Sequence, residues 1–326
     1  MRNILVTGGA GFIGSSLIYK LLEDPNNNII ILDKLTYASN EEISELSRNN
    51  LRVDLIEGCI SDRYILRHIF SENKISGIYN LAAESHVDNS IQSPRPFIDT
   101  NIIGTYNLLE IMRELAPDIR FLHVSTDEVY GDLELDDDAF TETTPYNPSS
   151  PYSASKAASD HLVRAWGRTY NLDVVVTNCS NNYGPRQHVE KLIPCIINKA
   201  LNGDELPIYG DGKQIRDWLY VEDHCDALVE VFIRGKRGST YNIGGANEIQ
   251  NIDIVKKILR LIESKTDNDN LDRLITYVKD RPGHDKRYAI NNLKIYKELG
   301  WRPLHHFEDG LDKTVDWFLS KFQQNN

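Results

Sequence analysis

The sequence has few cysteines, and none stands close to another. Cys59, Cys179, Cys195 and Cys225 form no Cys-x-x-Cys pair, and this spacing excludes the common zinc motifs and a disulfide framework. We therefore expect no metal site. We also expect the thiols to be reduced and mostly buried, as free cysteines usually are.

Positive charge is also scarce. With 36 Lys and Arg against 48 Asp and Glu, the formal net charge is −12. Nucleic acids and anionic membranes attract proteins with a surplus of Lys and Arg, so this balance argues against a nucleic-acid or membrane partner. It still allows a small anionic ligand, which needs only a local pocket of positive charge.

Long hydrophobic runs are absent as well. No stretch of about 18 apolar residues could cross a bilayer, and the N-terminal residues lack the pattern of a signal peptide. We expect a cytoplasmic protein. Its 326 residues, 40% of them hydrophobic and 26% charged, have the composition of a globular protein and the length of two small domains.

The first half of the sequence contains a regular alternation of short apolar runs with longer amphipathic stretches. This pattern indicates βαβ units and an α/β fold with a Rossmann-type, doubly wound parallel sheet. The fully apolar run 29–32 fits a strand covered on both faces. We predict strands at 4–7, 28–32, 51–57, 78–81, 121–125 and 174–177, and helices at 13–22, 63–71, 101–115 and 153–170.

Beyond about residue 184 the composition changes, because Pro and Gly become frequent. We predict a smaller C-terminal α/β domain for substrate binding at 185–326, with helices at 191–201 and 252–264 and a strand at 274–278. The Rossmann domain then covers 1–184, and a segment near 217–234 returns to its large sheet.

A glycine-rich loop connects the first predicted strand to the first helix. Gly8, Gly9, Gly11 and Gly14 fit the dinucleotide-binding patterns G-x-G-x-x-G and G-x-x-G-x-x-G. Glycine is needed here because the chain must turn sharply, bring its backbone against a pyrophosphate and pack the helix on the strand. The N–H groups at the start of the helix then face the anion.

Asp33 indicates which dinucleotide binds. It lies 19 residues after Gly14, at the end of the second predicted strand, close to the usual spacing of about 20. A carboxylate there accepts hydrogen bonds from the adenosine ribose and repels a 2′-phosphate, so NAD is favoured over NADP. The neighbouring Lys34 weakens this preference.

Tyr152 and Lys156 lie four residues apart and therefore share one face of a helix. A tyrosine hydroxyl, with an ordinary pKa near 10, is a poor base at neutral pH, but a nearby ammonium and a positive nicotinamide ring favour the phenolate. Tyr152 then takes a proton from a sugar hydroxyl while hydride leaves the same carbon. Without the glycine loop upstream, such a pair would indicate only two neighbouring surface residues.

Two adjacent carboxylates, Asp127 and Glu128, follow Thr126 at the end of the predicted strand 121–125. In open α/β sheets, ligands bind at the carboxyl ends of the strands. In an exposed turn these neighbours would be solvated charge, whereas at this edge they supply an acid and a base side by side. A simple alcohol dehydrogenase does not need that pair, but an elimination does.

Longer strings extend these motifs: LAAESHVD at 81–88, STDEVYG at 125–131, NNYGP at 181–185, EKLIP at 190–194, RDWL at 216–219 and DRPGHD at 280–285. Together with the glycine loop and the Tyr152/Lys156 pair, they resemble the dTDP-glucose 4,6-dehydratases, a family of extended short-chain dehydrogenase/reductases. The resemblance runs in register from about residue 2 to residue 318.

The resemblance implies a hydro-lyase that converts dTDP-glucose to a 4-keto-6-deoxy sugar and water. Tyr152, assisted by Lys156 and Thr126, oxidises C4 of the glucose, with hydride passing to NAD. Glu128 then removes the C5 proton, and a protonated Asp127 gives its proton to the departing C6 hydroxyl. Hydride returns to C6, so NAD ends the cycle unchanged and stays bound.

The resemblance also implies a homodimer that pairs the 101–115 helix and the Lys156 helix of two subunits. Arg216 and Arg281 would clamp the pyrophosphate, since the guanidinium fork suits paired oxygens. The implied cofactor residues are Gly8, Gly11, Phe12, Ile13, Gly14, Asp33, Lys34, Thr36, Cys59, Ile60, Leu81, Ala82, Ala83, Thr100, Tyr152, Lys156 and Asn182. The implied residues for the nucleotide sugar are Ser85, Thr126, Asn181, Lys191, Leu192, Pro207, Tyr209, Arg216, Asn251, Arg281 and His284.

The chain departs from the family pattern at three places. Cys59 stands where the family usually has an Asp that contacts adenine, and Asp62 is a candidate to take over that contact. The run 186–189 replaces an aromatic-rich run and would bring Arg186 near the sugar or diphosphate. Asn89 stands where an Arg is usual, and we derive no consequence from that change.

Three alternatives remain. The nearest is the same chemistry on UDP-glucose. A nucleotide-sugar 4-epimerase would also oxidise C4, but it needs no acid–base pair at C5 and C6, so Asp127 and Glu128 argue against it. A catalytically silent NAD-binding scaffold would have no reason to keep Tyr152, Lys156 and the two carboxylates together.

Overall fold

A seven-stranded parallel sheet forms the centre of the fold, seen in a computed structural model that describes residues 1–280 and 284–325. Its strands are β1 (Arg2–Thr7), β2 (Asn27–Asp33), β3 (Val53–Glu57), β4 (Ile75–Asn80), β5 (Arg120–Thr126), β6 (Asp173–Cys179) and β10 (Thr240–Ile243). Their order across the sheet is β3-β2-β1-β4-β5-β6-β10, and the strand order reverses between β1 and β4 as in doubly wound folds. The predicted Rossmann-type α/β fold is confirmed.

Helices cover both faces of this sheet, which is why its strands are apolar on both sides. On one face, Leu5 and Phe121 join a core with α3 (Arg63–Glu72), α6 (Thr105–Leu115) and α7 (Pro151–Tyr170). On the other face, Val6 and Leu122 join a core with α1 (Phe12–Leu22) and α9 (Val221–Arg234). The remaining helices of this half are α2 (Glu41–Asn49), α4 (Val87–Gln92) and α5 (Arg95–Phe97).

A second core lies outside the large sheet. It is built from α8 (Leu192–Asn202), α10 (Asn251–Lys265) and α12 (Phe307–Asn325). One small sheet contains β7 (Asn181–Tyr183), β9 (Ile215–Tyr220) and β11 (Glu248–Gln250), and another contains β8 (Leu206–Tyr209) and β12 (Ile275–Val278). The short α11 (Leu293–Leu299) packs back onto the core of the large sheet.

The chain returns to the large sheet in two steps. The segment near 217–234, predicted to return there, does so only with its helix, because α9 joins the core beside α1. Strand β9 instead pairs with β7 and β11, since β7 leaves the large sheet directly after β6 and offers β9 a partner. The strand that pairs with β6 is β10. The boundary at residue 184 stays a prediction.

Two local elements differ from the sequence prediction. Helix α2 is not predicted, because its nine residues contain only two apolar side chains, those of Ile43 and Leu46, and these are too few to define a helical pattern from sequence. The predicted helix 101–115 begins as π-helical turns over Ile98–Gly104 and becomes α-helical only from Thr105. Such turns are frequent at functional sites.

In the described part of the chain, no helix is long and apolar enough to cross a membrane. The same residues contain no group of His, Cys, Asp and Glu arranged to hold a metal ion.

Candidate active site

A cavity of about 340 Å³ opens at the carboxyl edge of the large sheet. This is the edge at which ligands bind in doubly wound folds. Its wall contains every residue predicted to bind the cofactor, from Gly8 to Asn182. It also contains all of the predicted catalytic residues, namely Thr126, Asp127, Glu128, Tyr152 and Lys156.

The glycine loop forms one end of the cavity and is too tight for larger residues. Gly8 has a φ of +68°, and a Cβ on Gly14 would lie 2.2 Å from the Gly8 carbonyl oxygen. Gly11 caps α1 without a side-chain hydrogen bond, so no side chain takes the place of an anion at this helix end. The loop therefore fits a pyrophosphate.

Asp33 holds the glycine loop to the end of β2. Its Oδ2 accepts a hydrogen bond from the Ala10 N–H at 2.9 Å, and its Oδ1 accepts one from the Leu35 N–H at 2.9 Å. Burial raises the pKa of Asp33, against the effect of these N–H donors. Each carboxylate oxygen has a further lone pair, so ribose hydroxyls can still bind there.

Alanine substitutions should separate the two functions of the glycine loop, which are to pack α1 on the sheet and to bind the pyrophosphate. Gly14→Ala should lower the melting temperature and abolish cofactor binding, because its Cβ meets backbone atoms at 2.2 Å. Gly11→Ala places its Cβ 3.3 Å from the Gly8 carbonyl oxygen and should fold, yet lose cofactor affinity because the methyl group enters the cavity. Thermal melts and the cofactor content of the purified protein measure both effects. Full cofactor content in Gly11→Ala would contradict this placement of the pyrophosphate.

The predicted acid and base lie in a 3₁₀ turn, Asp127–Tyr130, directly after β5. Thr126 Oγ1 accepts a hydrogen bond from the Glu128 N–H and donates one to Asp127 Oδ1, each at 3.3 Å. Asp127 is 1% exposed, and its buried Oδ2 has no hydrogen-bond partner among the described residues. Burial, with the charges of Glu128 and Asp217, raises the pKa of Asp127 well above its usual range. A raised pKa favours the protonated form of the carboxyl, and this is the form that can donate a proton.

Tyr152 and Lys156 extend from one face of α7 into the cavity. The helix starts with a capping box formed by Ser150 and Ser153, and the Lys156 ammonium donates to the Val124 carbonyl oxygen at 2.8 Å. Burial raises the pKa of Tyr152, helped by the charge of Glu128, and burial lowers the pKa of Lys156. Tyr152 therefore needs a positive charge beside it before it can act as a base.

Several wall residues are absent from the sequence prediction. Ser125, Ser180 and Asn181 each have a buried side-chain oxygen without a partner among the described residues, and Asn181 alone is predicted. Such unpaired oxygens are suited to a polar ligand. Cys179 pairs in register with Thr126, so the rule that parallel strands end at one edge could have identified it. The other wall residues that sequence analysis missed are Leu32, Ala38, Ser39, Gly58, Glu84, Val124, Gln187, His188 and Glu190.

The predicted substrate residues fall into two groups. Ser85, Asn181 and Lys191 line the cavity with Thr126. Six others lie outside its wall. Leu192, Pro207, Tyr209, Arg216 and Asn251 belong to the helices of the second core and its small sheets, and His284 lies in the loop between β12 and α11. Arg281 lies outside the described residues.

Part of the second group forms a polar cluster of its own. The rings of Tyr209 and His284 meet edge to face with centroids 6.3 Å apart, and the Asn251 N–H donates to the Gln214 carbonyl oxygen at 3.0 Å. The Asn251 side-chain oxygen is buried without a partner among the described residues. Arg216 donates to the carbonyl oxygens of its own strand and of the 285–286 segment. Contact with a nucleotide stays a prediction for these residues.

Arg186, which the departure from the family pattern would bring near the sugar or diphosphate, contacts residues of α1 and α2, and its contact with a ligand stays a prediction. Its Nε donates to Glu42 Oε2 at 3.0 Å, and its guanidinium lies over the Tyr19 ring at 4.6 Å. Lys321 of α12 binds the other oxygen of Glu42 at 2.9 Å. Arg186 is absent from the cavity wall because the carboxylate on α2 attracts it. It therefore joins α2 to the loop after β7.

Asp62 is the candidate for the adenine contact that Cys59 lacks, and this contact stays a prediction. Its carboxylate caps α3 by accepting hydrogen bonds from the Tyr64 and Ile65 N–H groups, and it is absent from the cavity wall. Cys59 remains on the wall and accepts a hydrogen bond from the Ser61 hydroxyl at 3.1 Å.

Asn89 takes part in a contact between two loops at the rim of the cavity. Its amide donates to the Tyr37 hydroxyl at 3.3 Å, and that hydroxyl donates to Glu190 Oε2 at 3.1 Å. Tyr37 follows β2 and Glu190 precedes α8, so this contact links the glycine-loop half of the wall to the second core.

Comparison with known proteins identifies the family. The family described as GDP-mannose 4,6 dehydratase matches residues 5–314. A dTDP-glucose 4,6-dehydratase of Neisseria gonorrhoeae is 54% identical over 331 residues, which cover 98% of this chain and 96% of the relative.

Solved structures agree with the sequence matches. The dTDP-glucose 4,6-dehydratase of Bacillus anthracis in complex with NAD is 45% identical with a TM-score of 0.90, covering 99% of this chain and 98% of that chain. The dTDP-glucose 4,6-dehydratase of Streptomyces venezuelae, with NAD and TYD bound, is 41% identical with a TM-score of 0.92 and the same coverage. Similarity of this degree along almost the whole chain shows that the protein belongs to the dTDP-glucose 4,6-dehydratases.

Proposed function

We propose that the protein converts dTDP-glucose to dTDP-4-keto-6-deoxy-glucose and water, with NAD as a retained cofactor. The observation that carries the proposal is the buried carboxyl of Asp127, with its raised pKa, beside Glu128 on the wall that also carries Tyr152 and Lys156. An elimination needs an acid and a base at neighbouring positions, and this wall offers both together with a tyrosine suited to C4 oxidation.

NAD fits the residues that form the other end of the cavity. The glycine loop would hold its pyrophosphate, and Asp33 would accept hydrogen bonds from the adenosine ribose. Relatives solved with NAD bound support this placement. Bound NAD supplies the hydride acceptor for C4 and the hydride donor for C6.

The residues of the chain divide the proton transfers among them. Tyr152, held beside the Lys156 ammonium, takes the proton of the C4 hydroxyl. The C4 carbonyl then makes the C5 proton acidic enough for Glu128 to remove. Asp127 gives its proton to the C6 hydroxyl, whose bond to C6 breaks as water leaves. When hydride returns to C6, Glu128 gives its proton back to C5.

Incubation of the protein with dTDP-glucose and, separately, with UDP-glucose tests this function against its alternatives. We expect a 4-keto-6-deoxy product, seen as alkali-induced absorbance, from dTDP-glucose. A larger yield of the keto sugar from UDP-glucose would favour a UDP-glucose 4,6-dehydratase, because the two dehydratase reactions use the same catalytic groups. Formation of UDP-galactose would favour the epimerase, and no keto sugar from either substrate would contradict the proposal.

We also infer a homodimer in the cytoplasm. Four large hydrophobic side chains are exposed along the π-helical turns, α6 and α7, with Ile98 at 41%, Ile103 at 44%, Leu115 at 43% and Tyr170 at 46%, and a partner subunit would cover them. The reduced cysteines are consistent with a reducing compartment. Light scattering of the purified protein should give twice the monomer mass, and a monomer at micromolar concentration would contradict the dimer.

A further inference from the structure

Helix α7 carries a second buried charge one turn beyond Lys156, the carboxylate of Asp160. Asp160 is 0% exposed and Lys156 is 4% exposed. Residues four apart on a helix share a face, so both charges point towards the sheet. A carboxylate so far from water is unfavourable unless it is hydrogen-bonded and paired with a positive charge. Its burial therefore needs a partner.

The groups in contact with Asp160 are neutral. Its Oδ1 lies 3.3 Å from His123 Nε2 on β5, and its Oδ2 accepts hydrogen bonds from the Tyr146 hydroxyl at 2.8 Å and the Asn178 amide at 3.3 Å. Burial lowers the pKa of His123 to about 4, and the Lys156 charge acts in the same direction. Arg164 donates to the same Tyr146 hydroxyl, so its contact with Asp160 is indirect, through that hydroxyl.

A row of buried side chains fixes the neutral form of His123. Thr7, Asn80 and His123 are paired in register across β1, β4 and β5. The Thr7 hydroxyl donates to Asn80 Oδ1 at 2.7 Å, and the Asn80 amide donates to His123 Nδ1 at 2.9 Å. Because Nδ1 accepts, the ring proton lies on Nε2, which faces Ser159 Oγ at 3.1 Å and the Asp160 carboxylate.

Asp160 and Lys156 contact successive residues of β5, the His123 ring and the Val124 carbonyl oxygen. Although burial opposes ionisation of Asp160, the His123 contact and the Lys156 charge hold its pKa below the ordinary value. Asp160 in turn raises the pKa of Lys156 against the effect of burial. From β6, Cys179 also faces Lys156, but burial raises the pKa of this thiol to about 12, so it is neutral.

We infer that Asp160 is a positioning residue that acts through Lys156. Its carboxylate keeps the buried ammonium protonated, and the ammonium keeps Tyr152 able to accept the proton of the C4 hydroxyl. The catalytic part of this inference rests on the proposed function, whereas the charge pairing does not. Asp160 is absent from the cavity wall, so its effect is electrostatic.

A double-mutant cycle on folding tests the pairing without any substrate. Asp160→Asn leaves a buried ammonium alone, and Lys156→Met leaves a buried carboxylate alone, so each should lower the melting temperature. The double variant removes both charges and should lose less stability than the sum of the two single losses. Thr314→Ala, which removes a buried hydroxyl from α12 in the second core, combined with Lys156→Met is the control and should be additive. The cycle remains decisive if Asp160→Asn fails to fold alone, because pairing predicts that Lys156→Met restores folding.

The pH dependence of C4 oxidation tests the consequence for catalysis. A Glu128→Gln background limits each enzyme molecule to C4 oxidation, which is followed by the absorbance of the reduced cofactor. Without Asp160, Lys156 loses its proton at lower pH, so the alkaline decline of the rate in Asp160→Asn should move down by about one to three pH units. Thr314→Ala in α12 keeps both charges and should leave that decline in place.

Each outcome bears on one inference. An unchanged alkaline decline in Asp160→Asn, or additive losses in the stability cycle, would overturn the role of Asp160. If the Glu128→Gln parent forms no reduced cofactor, the proposed function fails, and the stability cycle still decides the pairing.

Discussion

The substitution Glu128→Gln is expected to stop the enzyme halfway through its cycle, with reduced cofactor accumulating on the protein. Glutamine keeps the size of the side chain but cannot remove the C5 proton, while Tyr152, Lys156 and Thr126 remain in place for C4 oxidation. Loss of a positioned base should lower dehydratase turnover by about 10²- to 10⁴-fold. Absorbance of the protein after addition of dTDP-glucose measures the first effect, and formation of the keto sugar measures the second.

A matched surface change separates this effect from a general loss of charge. Glu134 is 68% exposed and pairs with Lys286 outside the cavity, so Glu134→Gln should retain full turnover and accumulate no reduced cofactor. If Glu128→Gln retains full turnover as well, Glu128 is not the base.

The parts of the site that sequence predicts are those fixed by local patterns. The glycine loop is one such part, because a sharp turn between a strand and a helix permits few residues. Asp127 and Glu128 are another, since the end of β5 follows from an apolar run. The spacing of Tyr152 and Lys156 places both on one face of α7 without any knowledge of the sheet.

The contacts that depend on strand order do not follow from such patterns. Asp160 meets His123 because α7 lies over β5, and His123 meets Asn80 because β4 and β5 are neighbours. These residues are far apart in sequence, and each alone would be read as a polar residue near a strand or helix. The same limit explains Arg186, whose partner Glu42 is 144 residues away.

The π-helical turns show a second limit of prediction from sequence. The amphipathic pattern of 101–115 predicts a helix but not its wider first turns. These turns bring Thr100 to the cavity wall. They also place the Asn101 amide 2.8 Å from Ser155 Oγ on α7 and 3.1 Å from the Glu84 carbonyl oxygen. The catalytic helix is therefore held by a geometry that hydrophobic periodicity does not encode.

Asp127→Asn is expected to separate the two proton transfers of the elimination. Asparagine fills the place of the protonated carboxyl but cannot release a proton to the C6 hydroxyl, so dehydratase turnover should fall by about 10²- to 10⁴-fold. Glu128 and the C4 carbonyl remain, so the C5 proton should still be removed and replaced. In D₂O, mass spectrometry of the recovered hexose should show deuterium at C5 in Asp127→Asn and none in Glu128→Gln.

The raised pKa of Asp127 gives this prediction a pH dependence of known sign. Asp127 acts in its protonated form, so elimination by the wild-type enzyme is present below that pKa and is lost as the pH rises through it. Asparagine does not titrate, so the residual elimination in Asp127→Asn should lack this alkaline decline. Loss of C5 exchange together with elimination would instead mean that both proton transfers depend on Asp127, which would contradict the division of labour between the two carboxyls.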